Sequence, residues 1–362
     1  MKKRVVVAMS GGVDSSVAAA LLVTQGYDVI GITMCFNIAD PPRKKPACCG
    51  LQGIEDARRV AHTLGIRHYV LNFKAALQDN VIDDFCNEYF RGRTPNPCIR
   101  CNQYLKFGAL LRKAISLDAA FLATGHYARI EKNQAGPSKG YTYLLKKAKD
   151  LRKDQSYFLY RLSQRQLSKL LFPLGGYTKE EVRSLARDYG LAVAGKLASQ
   201  EICFLPEDDY RVFLRNRAGD KIKPGPIVDT AGNMLGIHKG IALYTIGQRQ
   251  GLGVAAGYPL YITALQPDTN TVVVGRKEEA FQKACVLKDV HCIGKPLKNK
   301  IVVRVRIRYN HKEDLACVTI ENKKARAIFK KPQFAITPGQ SAVFYDRDTI
   351  IGGGIIQEAT TS

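Results

Sequence analysis

Toward the N-terminus, apolar positions fall into short runs separated by longer amphipathic stretches. Arg4–Met9 is a valine-rich run that ends at Ser10-Gly11-Gly12. A helical period follows from about Val13 to Thr24, with Gly26 as its stop signal. Asp28–Met34 reads as a second strand, Ile54–Leu64 as a helix closed by Gly65, and Arg67–Phe73 as a third strand. Ala119–Thr124 is a further strand running into Gly125-His126. Strands alternating with helices predict βαβ units and a parallel sheet. Ser163-x-x-Gln166 and Thr178-x-x-Glu181 both fit the capping box, and the second helix is expected to end at Gly190.

The pattern changes after about Pro206. Lys221–Gly257 is rich in Gly and Pro with short strand-like pieces, and from Ala280 short alternating runs dominate. In Val303–Tyr309, strand geometry puts Arg304, Arg306 and Arg308 on one face and Val303, Val305 and Ile307 on the other. From Ala280 to Ser362 there are fifteen Lys and Arg against seven Asp and Glu. A small β-barrel with one basic face fits, although three alternating arginines also fit a plain solvated strand. The 362 residues suit two or three domains at roughly 100–200 residues each. The expected division is 1–206, 207–277 and 278–362.

Composition narrows the function. A hydrophobic fraction of 46% argues against wholesale disorder. No apolar run approaches the ~20 residues that span a bilayer, so no membrane association is expected. The basic start Met1-Lys2-Lys3-Arg4 resembles a signal peptide, but its apolar run is cut by Ser10-Gly11-Gly12 and Asp14. It reads as a buried first strand of a cytoplasmic protein. The net charge of +23 points to a polyanionic partner, with a generally basic surface as the plainer alternative. The ten cysteines do not form a small secreted disulfide framework. Cys98 and Cys101 make a C-x-x-C, Cys48 and Cys49 are adjacent, and Cys35, Cys86, Cys285, Cys292 and Cys317 read as packed thiols.

Ser10-Gly11-Gly12-Val13-Asp14-Ser15-Ser16 joins the first strand to the first helix. Glycines there let backbone approach phosphate, and the helix start supplies free N–H groups. The serines would add donors, and Asp14 would hold magnesium or position the loop. Neither the Walker A pattern nor the dinucleotide fingerprint is present. The loop resembles that of the N-type ATP pyrophosphatases, which grips pyrophosphate while the α-phosphorus is attacked. In Thr94-Pro95-Asn96-Pro97-Cys98-Ile99-Arg100-Cys101-Asn102, two thiols sit in a proline-stiffened loop, and Arg100 is placed to lower a thiol pKa. Cys203, between Ile202 and Phe204, reads on its own as a packed core thiol.

Further stretches extend the resemblance along the chain: Arg93–Phe107, Ala123–Tyr127, Lys153–Leu159, Ile202–Phe204, Thr245–Arg249 and Thr337–Tyr345. Together with the loop they resemble the bacterial tRNA-specific 2-thiouridylases, the MnmA family, in order over nearly the whole chain. The resemblance implies an N-terminal pyrophosphatase domain, a small central domain and a C-terminal β-barrel. It implies ATP, with magnesium, at Ala8, Met9, Ser10, Gly11, Gly12, Val13, Asp14, Ser15, Met34 and Gly125. It makes Cys101 the nucleophile and Cys203 the persulfide carrier. The implied tRNA contacts are His126, Lys153, Asp154, Gln155, Arg308, Tyr309 and Gln340, with Asn96, Pro97 and Cys98 around the target base. A sulfur carrier or cysteine desulfurase would supply the persulfide. Cys98 departs from the better-known pattern, which has Asp there. With Cys101 and Cys203 it makes three soft ligands, enough for a four-iron iron–sulfur cluster with one open iron. Two other readings stay open: another synthetase of the same loop superfamily acting on a small metabolite, and a non-catalytic tRNA-binding protein with a retained nucleotide loop.

Overall fold

The computed structural model describes residues 2–36, 50–134, 141–196, 202–205, 209–294 and 297–361. Cys48 and Cys49 lie outside the described residues. Two compact units interleave along the chain. The first comprises Met1–Val81, Cys98–Asp208 and Asp348–Ile351; the second comprises Ile82–Pro97, Asp209–Arg347 and Gly352–Ser362. No helix among the described residues is long and apolar enough to cross a membrane.

In the first unit, β1 (Arg4–Ala8), β2 (Asp28–Cys35), β3 (Arg67–Asn72), β4 (Phe121–Ala123) and β7 (Leu170–Leu171) form one parallel sheet in the order β3-β2-β1-β4-β7. β1 is central, and Val5, Val6 and Val7 are fully buried. That explains its unbroken apolar run, because a strand covered on both faces has no polar side to alternate. The α-helix α1 (Val13–Thr24) has the bounds expected from its period. Ala18, Ala19 and Ala20 are buried on it and keep its packing close. Helix α2 (Leu51–Thr63) starts three residues ahead of the expected Ile54, since Gly50 is its N-cap.

After the four-residue helix α3 (Lys74–Leu77), the chain enters the second unit through α4 (Asp83–Phe90) and returns through α5 (Pro97–Arg100). A π-helical stretch, Cys101–Leu110, leads into α6 (Leu111–Ser116). The hairpin β5 (Ala128–Gln134) and β6 (Tyr141–Lys147) was not expected from the sequence; Thr349 and Ile350 extend it by pairing with β6. Both capping boxes form, Ser163 opening α7 (Gln164–Leu167) and Thr178 opening α8 (Lys179–Asp188). Gly190, at φ +62°, sits just past the C-cap of α8, as its sequence position suggested.

In the second unit, α9 (Tyr210–Ala218) precedes a four-stranded sheet of order β10-β11-β8-β9. Its strands are β8 (Gly225–Val228), β9 (Met234–His238), β10 (Tyr261–Gln266) and β11 (Thr271–Gly275). The remaining strands are β12 (Phe281–Cys292), β13 (Lys300–Arg306), β14 (Asp314–Glu321), β15 (Lys324–Phe334), β16 (Ser341–Asp346) and β17 (Thr349–Thr360). They run in the order β12-β15-β14-β13-β16-β17, and β12 pairs with β17 to close a six-stranded barrel. Val305 and, just past the end of β13, Ile307 are buried. The opposite face is not a uniform basic surface. Arg304 is exposed, but Arg306 lies 3.6 Å from Glu313 and 5.7 Å over the Tyr345 ring. Arg308 donates to the Ile246 carbonyl at 2.9 Å and to Thr337 Oγ1.

Candidate functional site

The strand order turns at β1: β2 and β3 lie to one side of it, β4 and β7 to the other. The crevice beyond the C-terminal ends of such strands is where open parallel sheets bind ligands. Two segments leave the sheet there, Met9–Gly12 after β1 and Thr124-Gly125-His126 after β4. Met9 is held by its N–H to Ile32 O (2.9 Å) and by its carbonyl, which accepts from Thr33 Oγ1 (2.8 Å). Ala8 ends β1, and Met34 lies near the end of neighbouring β2.

The loop is tied to itself. Ser10 N–H donates to Ser15 Oγ at 3.1 Å, and both the Ser15 and Ser16 hydroxyls donate to Gly12 O, at 3.1 and 2.8 Å. The hydroxyls expected to add donors for phosphate are therefore spent inside the turn. Backbone N–H groups at the start of α1 are the donors that remain, and no side chain caps that helix. Gly11, at φ +69°, lies against α2, where a β-carbon would overlap the Gly53 carbonyl. Gly125 also packs against the loop: a β-carbon there would stand 2.8 Å from Asp14 C and from Ser15 N.

Three charged residues brace the loop that the sequence reading did not single out. Lys179 Nζ lies 2.5 Å from Asp14 Oδ1, which also accepts from Tyr127 OH at 2.7 Å. Burial and the Asp14 carboxylate push the Tyr127 phenol far above its ordinary range, so it stays a donor. Lys196 Nζ bridges Gly11 O and Asp56 Oδ2. Both lysines come from α8 and the turn after it, more than 160 residues from the loop. No local signal in the sequence joins them to it.

Gly125 leads directly to the second half of the site. His126 is buried, with Nδ1 2.7 Å from Thr124 Oγ1 and its ring 5.7 and 5.8 Å from the Phe107 and Phe172 rings. Burial, reinforced by Lys106, lowers its pKa well below the usual value, so the imidazole is neutral at neutral pH. Lys106 is also the cation that favours the thiolates of Cys98 and Cys101. The sequence reading assigned that role to Arg100, which instead sits 5.9 Å from the Tyr104 ring centroid. The π-helix accounts for Lys106. The i→i+5 bonding of a π-helix brings residues i and i+5 to within about 50° of each other around the axis, whereas in an α-helix at 3.6 residues per turn they stand about 140° apart. Cys101 and Lys106 are five residues apart within it.

The thiols themselves are held quiet. Desolvation, with the Cys203 sulfur adding to it, pushes Cys98 up to about 11, although its side chain reaches solvent. Desolvation outweighs Lys106 at Cys101 and, with Cys203 and Cys98, pushes it up to about 12. The three sulfurs are thus near enough to feel one another's charge, and none of them forms a disulfide among the described residues. Among the described residues, no three His, Cys, Asp or Glu side chains stand where they could hold a metal ion. Of the cysteines read as packed, Cys86 and Cys285 are buried, while Cys35, Cys292 and Cys317 are half-buried.

The remaining site residues fall into two groups. In the first unit, Asp154 is buried and accepts from Ala148 N, Ser156 N and Ser156 Oγ. Gln155 pairs with the Tyr127 backbone in both directions, and Lys153 is half-buried beside them. In the second unit, Gln340 is buried and donates to Thr94 O at 2.9 Å and Pro95 O at 3.1 Å. It fixes the segment that carries Asn96 and Pro97. Tyr309, half-buried, follows the anchored Arg308.

Profiles of known families match the chain in three consecutive stretches. These are a tRNA methyl transferase HUP domain over residues 3–207, a tRNA methyl transferase PRC-barrel domain over 211–276 and an aminomethyltransferase β-barrel domain over 282–356. The tRNA-specific 2-thiouridylase MnmA of Halothermothrix orenii is 51% identical over 98% of this chain and 99% of its own. That of Carboxydothermus hydrogenoformans is 50% identical over 99% and 98%. Among solved structures, the U34-tRNA thiolase NcsA of Methanococcus maripaludis, with its 4Fe-4S cluster, is 20% identical at a TM-score of 0.36. It covers 60% of this chain and 65% of that one, too weak a likeness to inform the site. Half the residues are shared with curated relatives from end to end, and the chain belongs to the tRNA-specific 2-thiouridylase family.

Proposed function

We propose that the chain carries out its family's ATP-dependent thiolation of a tRNA uridine through an adenylated wobble base and a persulfide on Cys203. The observation that supports this reading is the continuity of the site. Gly125 touches the phosphate loop, and its neighbour His126 shares Lys106 with Cys98 and Cys101. Nucleotide chemistry and thiol chemistry therefore adjoin within one unit.

In this reading ATP binds the Ser10–Ser16 loop, and the uridine 2-oxygen attacks the α-phosphorus. Pyrophosphate leaves toward the N–H groups of α1. Asp14, with Oδ1 held by Tyr127 and Lys179, would offer its other oxygen to magnesium, which neutralises phosphate charge. The terminal persulfide sulfur then adds to C2 of the base, which must be turned out of the anticodon stack. Cys101 thiolate attacks Cys203 Sγ, and a Cys101–Cys203 disulfide forms as the sulfur–sulfur bond breaks. Its electron pair stays with the sulfur on C2, and AMP departs. A reductant reopens the disulfide, and a sulfur carrier or cysteine desulfurase reloads Cys203. The division into 1–206, 207–277 and 278–362, with tRNA contacts from His126, Lys153–Gln155, Arg308-Tyr309 and Gln340, belongs to the same proposal.

The test is mass analysis of tRNA nucleosides after incubation with ATP and a sulfur donor, with and without iron. Cys101→Ser and Cys203→Ser are expected to abolish thiolation and leave tRNA-dependent pyrophosphate release intact. Thiolation retained by Cys203→Ser would contradict the role given to it. Absence of pyrophosphate release would point instead to a tRNA-binding protein.

A further inference from the structure

Asp56 lies in the second turn of α2 with its side chain 9% exposed. Its Oδ1 accepts from Gln52 at 3.1 Å and Arg59 at 2.6 Å, and its Oδ2 accepts from Lys196 at 2.6 Å. Burial alone would raise this carboxyl, but Lys196, Gln52 and Arg59 outweigh burial and hold it below the usual range. The charge of Lys196 is therefore largely balanced by a fixed carboxylate. What the lysine adds to the loop is direction. It donates to Gly11 O at 3.1 Å. In a trans peptide the C=O and the following N–H point opposite ways. With the Gly11 carbonyl turned toward Lys196, the Gly12 N–H is turned away from it, and that N–H has no acceptor among the described residues. A Gly-Gly peptide is also the one most able to rotate, because glycine populates both signs of φ.

We propose that Lys196, seated on Asp56, is a positioning residue that locks the Gly11–Gly12 peptide so that the Gly12 N–H receives the departing pyrophosphate. This deepens the functional reading above and rests on it. The residue acts through the backbone and does not itself bind nucleotide.

The experiment uses the full chain with ATP, magnesium and tRNA, and compares wild type with Lys196→Met, Lys196→Arg and Asp56→Asn. Pyrophosphate release gives kcat and the KM for ATP, and calorimetric titration with inorganic pyrophosphate gives its affinity. Outright loss of an oxyanion donor costs about 10²–10³ in kcat, so misalignment in Lys196→Met is expected to cost about 10- to 100-fold. Pyrophosphate affinity falls with it, while the KM for ATP changes by less than about threefold. Lys196→Arg restores most of the kcat, and Asp56→Asn, which unseats the lysine, falls between. Wild-type kcat in folded Lys196→Met overturns the proposal, as does a change confined to the KM for ATP. If Lys196→Met does not fold, unaltered kcat in Asp56→Asn overturns it equally. A wild-type protein that releases no pyrophosphate refutes the functional reading instead, so the two failures are told apart by the wild-type arm.

Discussion

Gly125→Ala isolates what the close approach of β4's exit to the phosphate loop does. The added methyl would meet Asp14 C and Ser15 N at 2.8 Å and Asp14 Cβ at 3.1 Å. Two of these atoms are backbone at the start of α1, so no flexible side chain can yield. Relief to ordinary contact requires the loop and Gly125 to part by roughly half an ångström, and overpacking of this kind costs about 1–3 kcal/mol. The displacement falls on the N–H groups assigned to pyrophosphate, and misplacement by about 1 Å costs about 10²-fold in rate. A loss of about 10-fold or more in kcat for tRNA-dependent pyrophosphate release is therefore expected. Gly175→Ala is the control. Its methyl would overlap the Ala128 carbonyl in the same unit without touching the loop. It is expected to lower the thermal midpoint at least as much while the folded fraction keeps its kcat. If both variants lose kcat in proportion to stability, or Gly125→Ala keeps wild-type kinetics, the contact has no catalytic meaning.

Other outcomes follow from the same geometry. Gln340→Ala removes donors from Thr94 O and Pro95 O and is expected to destabilise the protein by about 1–3 kcal/mol in denaturant titration; an unmoved midpoint would show those bonds to be idle. The raised thiols predict that alkylation of Cys101 in the free protein climbs about tenfold per pH unit without levelling below pH ~10. A plateau near pH 9, the ordinary thiol value, would contradict the desolvation argument. Protein purified without oxygen tests the cluster at Cys98, Cys101 and Cys203: a four-iron absorption spectrum lost on Cys98→Ser would establish it, and full thiolation by iron-free protein would exclude it.

Features written into neighbouring residues were legible in the sequence. The valine run of β1, the span of α1 and both capping boxes rest on period and on side chains within a turn of one another, and all formed as expected. The loop and the C-x-x-C of Cys98 and Cys101 were visible by residue type, while Gly125 and Cys203 were marked only by the family resemblance. The residues that support them were not legible. Lys179 and Lys196 reach the loop across more than 160 residues, and nothing near either lysine marks it as different from a surface cation. Lys106 was hidden because a 3.6-residue period places it away from Cys101, and only the π-helical stretch brings it round. The arginines of β13 show the converse limit. Alternation gave their face correctly, but the partners that occupy Arg306 and Arg308 lie elsewhere in the chain.

The interleaving of the two units bears on how the protein is made on a ribosome. Residues 82–97 are synthesised early yet belong with 209–347, so they must wait for most of the chain before finding their partners. The β5–β6 hairpin waits longer, since Arg129 and Lys146 pair with Asp348, and β6 pairs with Thr349 and Ile350. A nascent chain halted after residue 206 would contain every cysteine and glycine of the site and still lack these closing contacts. Catalytic competence would then arrive late in translation, after the barrel strands have emerged.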